Sequence, residues 1–256
     1  MNIDVIIVLY NDLFSSIKSL PVLENSELVK SIIICDNSSE KNESPIVSNN
    51  KIEYIDMHGN QGLSKAYNTA LRRCKSDYVL VLDDDTQLPD DFIEKIQSYV
   101  TAYKDYEVFV PIVKSEDLIL SPCQKRGLRY KPFLSIDQIK WPFSAINSGS
   151  LVKREVFSAI RYREELFLDM VDHAFFDDLR NTGRQIKVMQ NIILKQNYSR
   201  LTDNEETAHA RYEISKKDNR TYYRSLTGGR IFCELQLIFW KIKKAVKYSD
   251  LSVLFW

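Results

Sequence analysis

The chain has 256 residues, 44% of them hydrophobic and 27% charged, with 35 Lys+Arg balanced by 35 Asp+Glu. That length suits one α/β domain with an appendage better than two full domains, and the zero net charge excludes the basic footprint of a nucleic-acid binder. Cys35, Cys74, Cys123 and Cys233 form no Cys-x-x-Cys pair, which argues against a zinc site or disulfide framework and for a reducing cytoplasm.

The first apolar run, Ile3–Tyr10, reads as a buried strand ended by Asn11-Asp12. It is too short for a signal peptide and lacks a basic leader, and no run in the chain approaches the roughly 20 residues needed to span a bilayer. Leu13–Leu20 is expected to be a short helix closed by Pro21. Ser31–Cys35 is a second strand, ending in Asp36-Asn37-Ser38-Ser39, and residues 40–50 form a polar surface loop. Lys51–Met57 is a third strand. Gly59-Asn60-Gln61-Gly62 then opens a helix whose apolar positions, Leu63, Ala66, Tyr67, Ala70, Leu71 and Cys74, follow helical spacing.

Tyr78–Leu82 is a fourth strand, Phe92, Ile93, Ile96, Val100 and Tyr103 mark an amphipathic helix, and Val108–Val113 is a fifth strand. Strands alternating with helices predict a mostly parallel sheet built from βαβ units. Residues 114–145 read as loops and short strands. A strand over Ala145–Val152, a helix from Arg154 to Ile160, a helix from Asp172 through Leu179 stopped by Gly183, and a strand over Ile186–Leu194 complete the expected core.

The most informative stretch is residues 77–86, Asp-Tyr-Val-Leu-Val-Leu-Asp-Asp-Asp-Thr. A strand this rich in Val and Leu is buried on both faces, yet it ends in Asp83, Asp84 and Asp85. Three adjacent carboxylates require a cation or open solvent, and hard oxygen ligands suit Mg²⁺ or Mn²⁺ bridged to substrate phosphates. A solvated acidic turn ahead of Pro89 is the plainer reading. Parallel neighbours bring the ends of the first, second and fourth strands to one rim, where open α/β sheets bind ligands. Asp36 on that rim suits a ribose or base, or is an ordinary turn-forming Asx residue. Gly59–Gly62 offers free backbone N–H groups to a diphosphate, or is a tight turn capped by Asn60.

The order of these pieces resembles the nucleotide-sugar half of family-2 glycosyltransferases of the GT-A fold, and most closely the bacterial rhamnosyltransferase-like branch. The pieces are strand-Tyr10-Asn11, strand-Asp36-Asn37-Ser38-Ser39, Gly59-Asn60-Gln61-Gly62-helix and strand-Asp83-Asp84-Asp85. The resemblance implies a donor site on Tyr10, Asn11, Asp36, Asn60, Gly62, Asn68, Asp83 and Asp84. It implies a divalent cation, Mn²⁺ or Mg²⁺, on Asp83 and Asp85. Asn147-Ser148-Gly149-Ser150 is similar to the family's acceptor-side segment. Leu166 to His173 is similar to the segment presenting the catalytic base, which makes Asp172 the base and places Ser148, Gly149, Asp169 and His173 near the acceptor. A base at a helix N-terminus is held rigidly in its ionised form, although a plain N-cap would also be an Asp.

The pattern breaks at Ala174, where the family has a second acid; Asp177, Asp178 or Asp169 could substitute. His209, ahead of Tyr222-Tyr223-Arg224, matches a histidine that can complete the metal site. The family's Arg-Asn pair is replaced by Thr227-Gly228-Gly229-Arg230.

From Arg211 onward ten Lys/Arg face four Asp/Glu. Within this tail Ile231, Leu235, Ile238, Ile242 and Val246 form a helical stripe with Phe232, Phe239 and Trp240 beside it and Lys241, Lys243, Lys244 and Lys247 following. A basic amphipathic helix suits a membrane interface, or packs on the domain or a partner subunit.

The expected organisation is a GT-A domain over 1–225, with a nucleotide-sugar half at 1–113 and an acceptor half at 114–225, followed by a basic amphipathic helix over 226–256. The expected activity is inverting, metal-dependent transfer of a sugar, rhamnose by resemblance, from a dTDP- or UDP-sugar to a glycan or lipid-linked acceptor. The expected location is cytoplasmic, with peripheral contact to the inner face of the plasma membrane as an option. A nucleotidyltransferase would need a Gly-rich basic loop after the first strand, where Asn11-Asp12-Leu13-Phe14 stands. A catalytically silent glycosyltransferase-like module that binds glycan or a partner enzyme is the alternative from another class.

Overall fold

The computed structural model describes residues 1–40, 42, 49–196, 205–250 and 252–253, and of residues 205–208 the backbone alone. Most of the expected surface loop over 40–50 and the last residues of the expected C-terminal helix lie outside these.

The core is a mixed, mostly parallel sheet in the order β3-β2-β1-β4-β10-β5-β11. The strands are β1 (Ile3–Leu9), β2 (Val29–Asp36), β3 (Ile52–Asp56), β4 (Tyr78–Asp83), β5 (Val108–Ser115), β10 (Ser150–Lys153) and β11 (Ile186–Lys195). β1, β2, β3 and β4 run parallel, as do β5 and β11, whereas β10 is antiparallel to both β4 and β5. β6 (Leu118–Ser121) extends β5 as a hairpin. β7 (Cys123–Arg126), β8 (Arg129–Pro132) and β9 (Phe143–Ser144) form a second, antiparallel sheet.

Alternate residues of the central strands fill two cores, one on each face. Ile6, Ile33, Val79 and Val81 pack with Ala66, Tyr67 and Ala70 of α2 (Leu63–Leu71) and with Phe175 and Phe176 of α5 (Val171–Asn181). Ile7, Ile34, Leu80 and Leu82 pack with Leu23 of α1 (Leu20–Asn25) and with Phe92 and Ile96 of α3 (Phe92–Ala102). This is why β4, and β1 beyond Asp4, read as continuous apolar runs rather than alternating ones.

Pro21 does not close a helix over Leu13–Leu20. That stretch holds one 3-10 turn at Phe14–Ser16, and Pro21 lies in the first turn of α1, where a missing N–H is harmless. The strand expected over Ala145–Val152 is divided, because residues 145–149 turn between β9 and β10. α4 (Val156–Ala159) follows β10. The long helix α6 (Glu205–Tyr223), for which no helix was expected, follows β11, and α7 (Gly229–Tyr248) comes after it.

Asp4, buried on β1, fixes where β4 begins. Its Oδ2 accepts from the backbone N–H groups of Lys75 (2.5 Å) and Ser76 (2.7 Å), and its Oδ1 from the Ser76 hydroxyl (2.7 Å). Replacing Asp4 with Ala strands these donors, and the expected loss is about 2–3 kcal/mol, measurable by urea denaturation.

Candidate active site

The C-terminal ends of β1, β2 and β4 meet at one rim, as parallel pairing requires. Asn11 adopts a left-handed conformation (φ 52°) just past β1. Its backbone N–H donates to Ser38 Oγ (2.8 Å), while its Oδ1 accepts from the Ser39 N–H (2.8 Å). Tyr10 shares a hydrogen bond between its hydroxyl and Ser39 Oγ (3.2 Å), and its backbone N–H donates to Asp84 Oδ2 (3.1 Å). The Tyr10 ring is 48% exposed over this rim, an available stacking surface.

Asp36 is buried. Its Oδ2 accepts from the Tyr54 hydroxyl (2.5 Å) and its Oδ1 from the Ser38 N–H (3.0 Å). The neighbouring Asn37, absent from the expected site, links the second strand end to the glycine turn. Its Nδ2 donates to Asn60 Oδ1 (3.0 Å) and its Oδ1 accepts from the Gln61 N–H (2.7 Å). Asn60 Oδ1 also accepts from the Gly62 N–H (3.1 Å).

Gly62 has φ 91°, and a Cβ there would lie 2.7 Å from the Phe167 ring and 3.0 Å from the Phe167 carbonyl. The start of α2 thus abuts the segment that leads into α5, with the Leu63 N–H donating to that carbonyl (2.6 Å). Asn68 is directed elsewhere than a donor. Its carboxamide is buried and bridges α2 to residues 162–164, donating to the Tyr162 carbonyl (2.9 Å) and Glu164 Oε1 (3.0 Å) and accepting from the Tyr162 N–H (3.1 Å). With both N–H bonds engaged, it is a tether.

At the end of β4, Asp83 is partly buried, and Asp85 is exposed. Burial, then the charge of Asp85, pushes the Asp83 carboxyl up to about 6. Gln196 Nε2 donates to Asp83 Oδ2 (2.8 Å) and opposes that shift. Burial also raises the Asp84 carboxyl. Among the described residues, no group of three His, Cys, Asp or Glu side chains is gathered for a metal. His209 stands exposed on α6 and does not join Asp83 and Asp85 in such a group.

Asp172 sits in the first turn of α5. Burial, then the charge of Asp83, pushes its carboxyl up to about 8. The two acids come from distant stretches of chain yet share one electrostatic space, floored by Tyr67 and Tyr162. Those rings are 4.7 Å apart, and burial and then the same two carboxylates raise both phenols. Asn147 Nδ2 donates a short hydrogen bond to Asp172 Oδ1. Asn147 Oδ1 is buried and accepts no hydrogen bond among the described residues.

The remaining expected acceptor residues are placed differently. Ser148 is buried, accepting from the Asp83 N–H (3.0 Å) and bonding the Thr86 hydroxyl (2.7 Å). Gly149, at φ 79°, lets β10 approach Pro111 and Leu194, whose side chains would lie 2.6 and 2.5 Å from a Cβ. Neither presents surface to an acceptor, because both are consumed in seating β10 beside β4. His173 stacks on Tyr130 (3.6 Å, 3° between planes) and bonds Ser144 Oγ through Nδ1 (2.7 Å). Asp169 pairs with Arg211 (2.5 Å).

Ala174 is fully buried in the core below α5. Neither nearby acid replaces the missing carboxylate. Asp177 is held by Lys125, Arg180 and Tyr222, each at 2.5 Å, and Asp178 by Arg163 (2.5 Å).

The residue that positions this whole segment is Asp218 of α6. It is fully buried and accepts from the backbone N–H groups of Phe167 (2.9 Å), Leu168 (2.7 Å) and Asp169 (2.8 Å). Met170 then turns left-handed (φ 64°) to start α5 and deliver Asp172. The segment needs this anchor because its own N–H groups have no strand or helix to serve.

Two outcomes follow. Asp218→Ala should destabilise the fold by about 2–4 kcal/mol and raise hydrogen exchange at the amides of residues 167–169 by about tenfold or more. Asp172 is held protonated by the fold but ionises near its ordinary 3.8 when unfolded. Its contribution to stability is therefore full below about pH 4 and lost as pH rises through about 8. In EDTA, Asp172→Asn should melt at higher temperature than the wild type at pH 8, with the gap closing toward pH 4 in calorimetric scans.

Comparison with known proteins now bears on this geometry. Among curated proteins, none matches significantly. Among solved structures, Staphylococcus aureus TarS 1–349 aligns over 93% of this chain and 70% of its own, at TM-score 0.57 and 13% identity. The same fragment in complex with UDP-GlcNAc aligns over 93% and 71% at TM-score 0.57 and 12% identity. Against the longer TarS structure this chain spans 42% of the length, at TM-score 0.57 and 14% identity. At these identities the likeness is one of fold, and that fold is GT-A-like. Residues 4–161, more than half of the chain, match the sequence profile described as Glycosyl transferase family 2. The chain belongs to glycosyl transferase family 2.

Proposed function

We propose that the protein transfers a sugar from a nucleoside-diphosphate sugar to a hydroxyl group of a glycan or lipid-linked glycan, with inversion at the anomeric carbon and with the help of Mn²⁺ or Mg²⁺. The observation that carries this reading is the meeting of two acidic groups at one rim. Asp83, Asp84 and Asp85 end β4, and Asp172 faces them from α5 within reach of the Asp83 charge.

In the reaction, Asp172 acts in its ionised form, which a cation at Asp83 and Asp85 would favour by offsetting the Asp83 charge that, after burial, raises its carboxyl. It takes the proton of the acceptor hydroxyl as that oxygen bonds to C1 of the sugar. The bond from C1 to the diphosphate oxygen breaks, and its electron pair leaves with the nucleoside diphosphate. One displacement inverts C1. Asn147 holds Asp172 in place. Ser148 fixes the backbone of Asp83, and Tyr10 offers its exposed ring to a base.

The donor set fits a hard divalent cation. It is all oxygen, and the carboxyl of Asp83 is raised partly by the repulsion of Asp85, which a cation would relieve. Asp85 and Asp83 would hold it, with water and phosphate oxygens completing the shell, as Mg²⁺ sites commonly have. Such a cation neutralises charge on the departing diphosphate.

A uridine nucleotide is the first donor to try, because the fold neighbour TarS is known in complex with UDP and with UDP-GlcNAc. A thymidine nucleotide and rhamnose rest on the sequence resemblance to the rhamnosyltransferase-like branch. The absence of a second acid at Ala174, with Asp177 and Asp178 engaged elsewhere, favours one other reading, a silent module that binds glycan without transferring it.

Calorimetry with UDP and dTDP, with and without Mn²⁺, separates these. Metal-dependent binding that Asp85→Ala weakens by about tenfold or more supports the donor site. Asp172→Asn should keep that binding while transfer falls by about 10²–10⁴-fold, the range of a lost general base. Failure of both nucleotides to bind under any metal condition overturns the transferase reading.

A further inference from the structure

We propose that α7 docks the protein on an anionic lipid surface through the face turned away from its own fold. Gly229, Cys233 and Leu237 recur every four residues and bury one side of α7. Ile231, Leu235, Ile238, Phe239, Ile242 and Val246 lie on the roughly opposite side and are each 50–75% exposed. Their spacing of three and four residues makes one continuous stripe about 15 residues long. Scattered exposed apolar residues need no explanation, but six aligned large ones mark an interaction surface.

The charges around the stripe decide what covers it. α7 carries Arg230, Lys241, Lys243, Lys244 and Lys247, five cations, against one acid, Glu234. That acid is already held by Arg220 of α6 in a two-pronged pair (both 2.7 Å). By helical spacing, Lys243 borders the stripe beside Phe239 and Val246 on one edge and Lys241 borders it beside Ile238 on the other, with Arg230 and Lys247 further round the helix. A second copy laid across the stripe would bring lysine against lysine with no acid to offset them. A bilayer rich in anionic headgroups instead takes the apolar side chains at the acyl boundary and the cations at the phosphates. No helix among the described residues is long and apolar enough to cross a membrane, so contact by α7 is parallel to the surface. The inference concerns attachment alone and holds for any donor or acceptor.

The test is co-sedimentation of the purified chain with vesicles of mixed phosphatidylglycerol and phosphatidylcholine, and with phosphatidylcholine alone. Two variants accompany the wild type, Ile238→Ser/Ile242→Ser and Lys243→Glu/Lys247→Glu. All four positions are exposed, so circular dichroism and melting temperature should be unchanged. Expected is binding to the mixed vesicles that falls as salt rises, with each variant weaker by about tenfold or more. No binding by the wild type overturns the proposal. So does equal binding to neutral vesicles, or binding that neither variant changes. Light scattering supplies the competing outcome, a dimer that Ile238→Ser/Ile242→Ser dissociates in a protein that ignores vesicles.

Discussion

One buried carboxylate holds the working end of this molecule together. Asp218 accepts three successive backbone N–H groups from residues 167–169, a segment with no regular structure of its own. Without a partner, those groups would carry a desolvation penalty of a few kcal/mol in total. With it, the segment becomes a fixed edge against which Gly62 and the start of α2 close from one side and α5 begins on the other. The position of Asp172 is thus set from α6, which among its described side chains brings no acid to the rim.

The rim is arranged against the comfort of its own charges. Asp83, Asp84 and Asp172 all have carboxyls raised by burial, and each is raised further by neighbouring acids. A fold selected for stability alone would disperse them. Their proximity stores an unfavourable field that a bound cation or a positively charged transition state can relieve, which is the usual origin of perturbed acids at functional sites. The groups around them limit the penalty without removing it: hydrogen bonds from Gln196 and Ser148 at Asp83, and from the backbone and side chain of Asn147 at Asp172, each pull the carboxyl back down.

Much of this was legible in the sequence wherever hydrophobicity and strand ends coincide. β1, β2 and β4 each run apolar into a polar stop, with only Asp4 interrupting β1 and Lys30-Ser31 preceding the apolar part of β2, so their ends could be placed at one rim. α6 was not legible, because the face it buries is built from Ser215, Asp218 and Asn219 along with tyrosines, and no apolar periodicity marks it. The motif around Ser148 and Gly149 marked a strand that does exist as β10, while the two residues themselves are spent on seating it. A motif says which residues are close to a site and is silent on where each side chain points. Asn68 is the same case, its carboxamide being spent on residues 162–164. Gln196 and Asn147 carried no signal beyond their neighbours, since a single hydrogen bond to a distant carboxylate leaves no pattern in a sequence.

The reversed strand β10 has a consequence for how the chain reaches this structure. Residues 150–153 run between β4 and β5 and pair with both. The strands formed by the first 115 residues therefore leave a gap in the middle of the sheet, with two apolar edges facing each other across it. A nascent chain that has emerged only that far presents both edges as templates for intermolecular pairing, and it closes them only when a strand from far downstream arrives. Such a long-range closure belongs to slow, late folding. The stretch over residues 1–115 is thus a poor candidate for life as a separate fragment, and any rearrangement of this fold has to carry β10 along with the strands it completes.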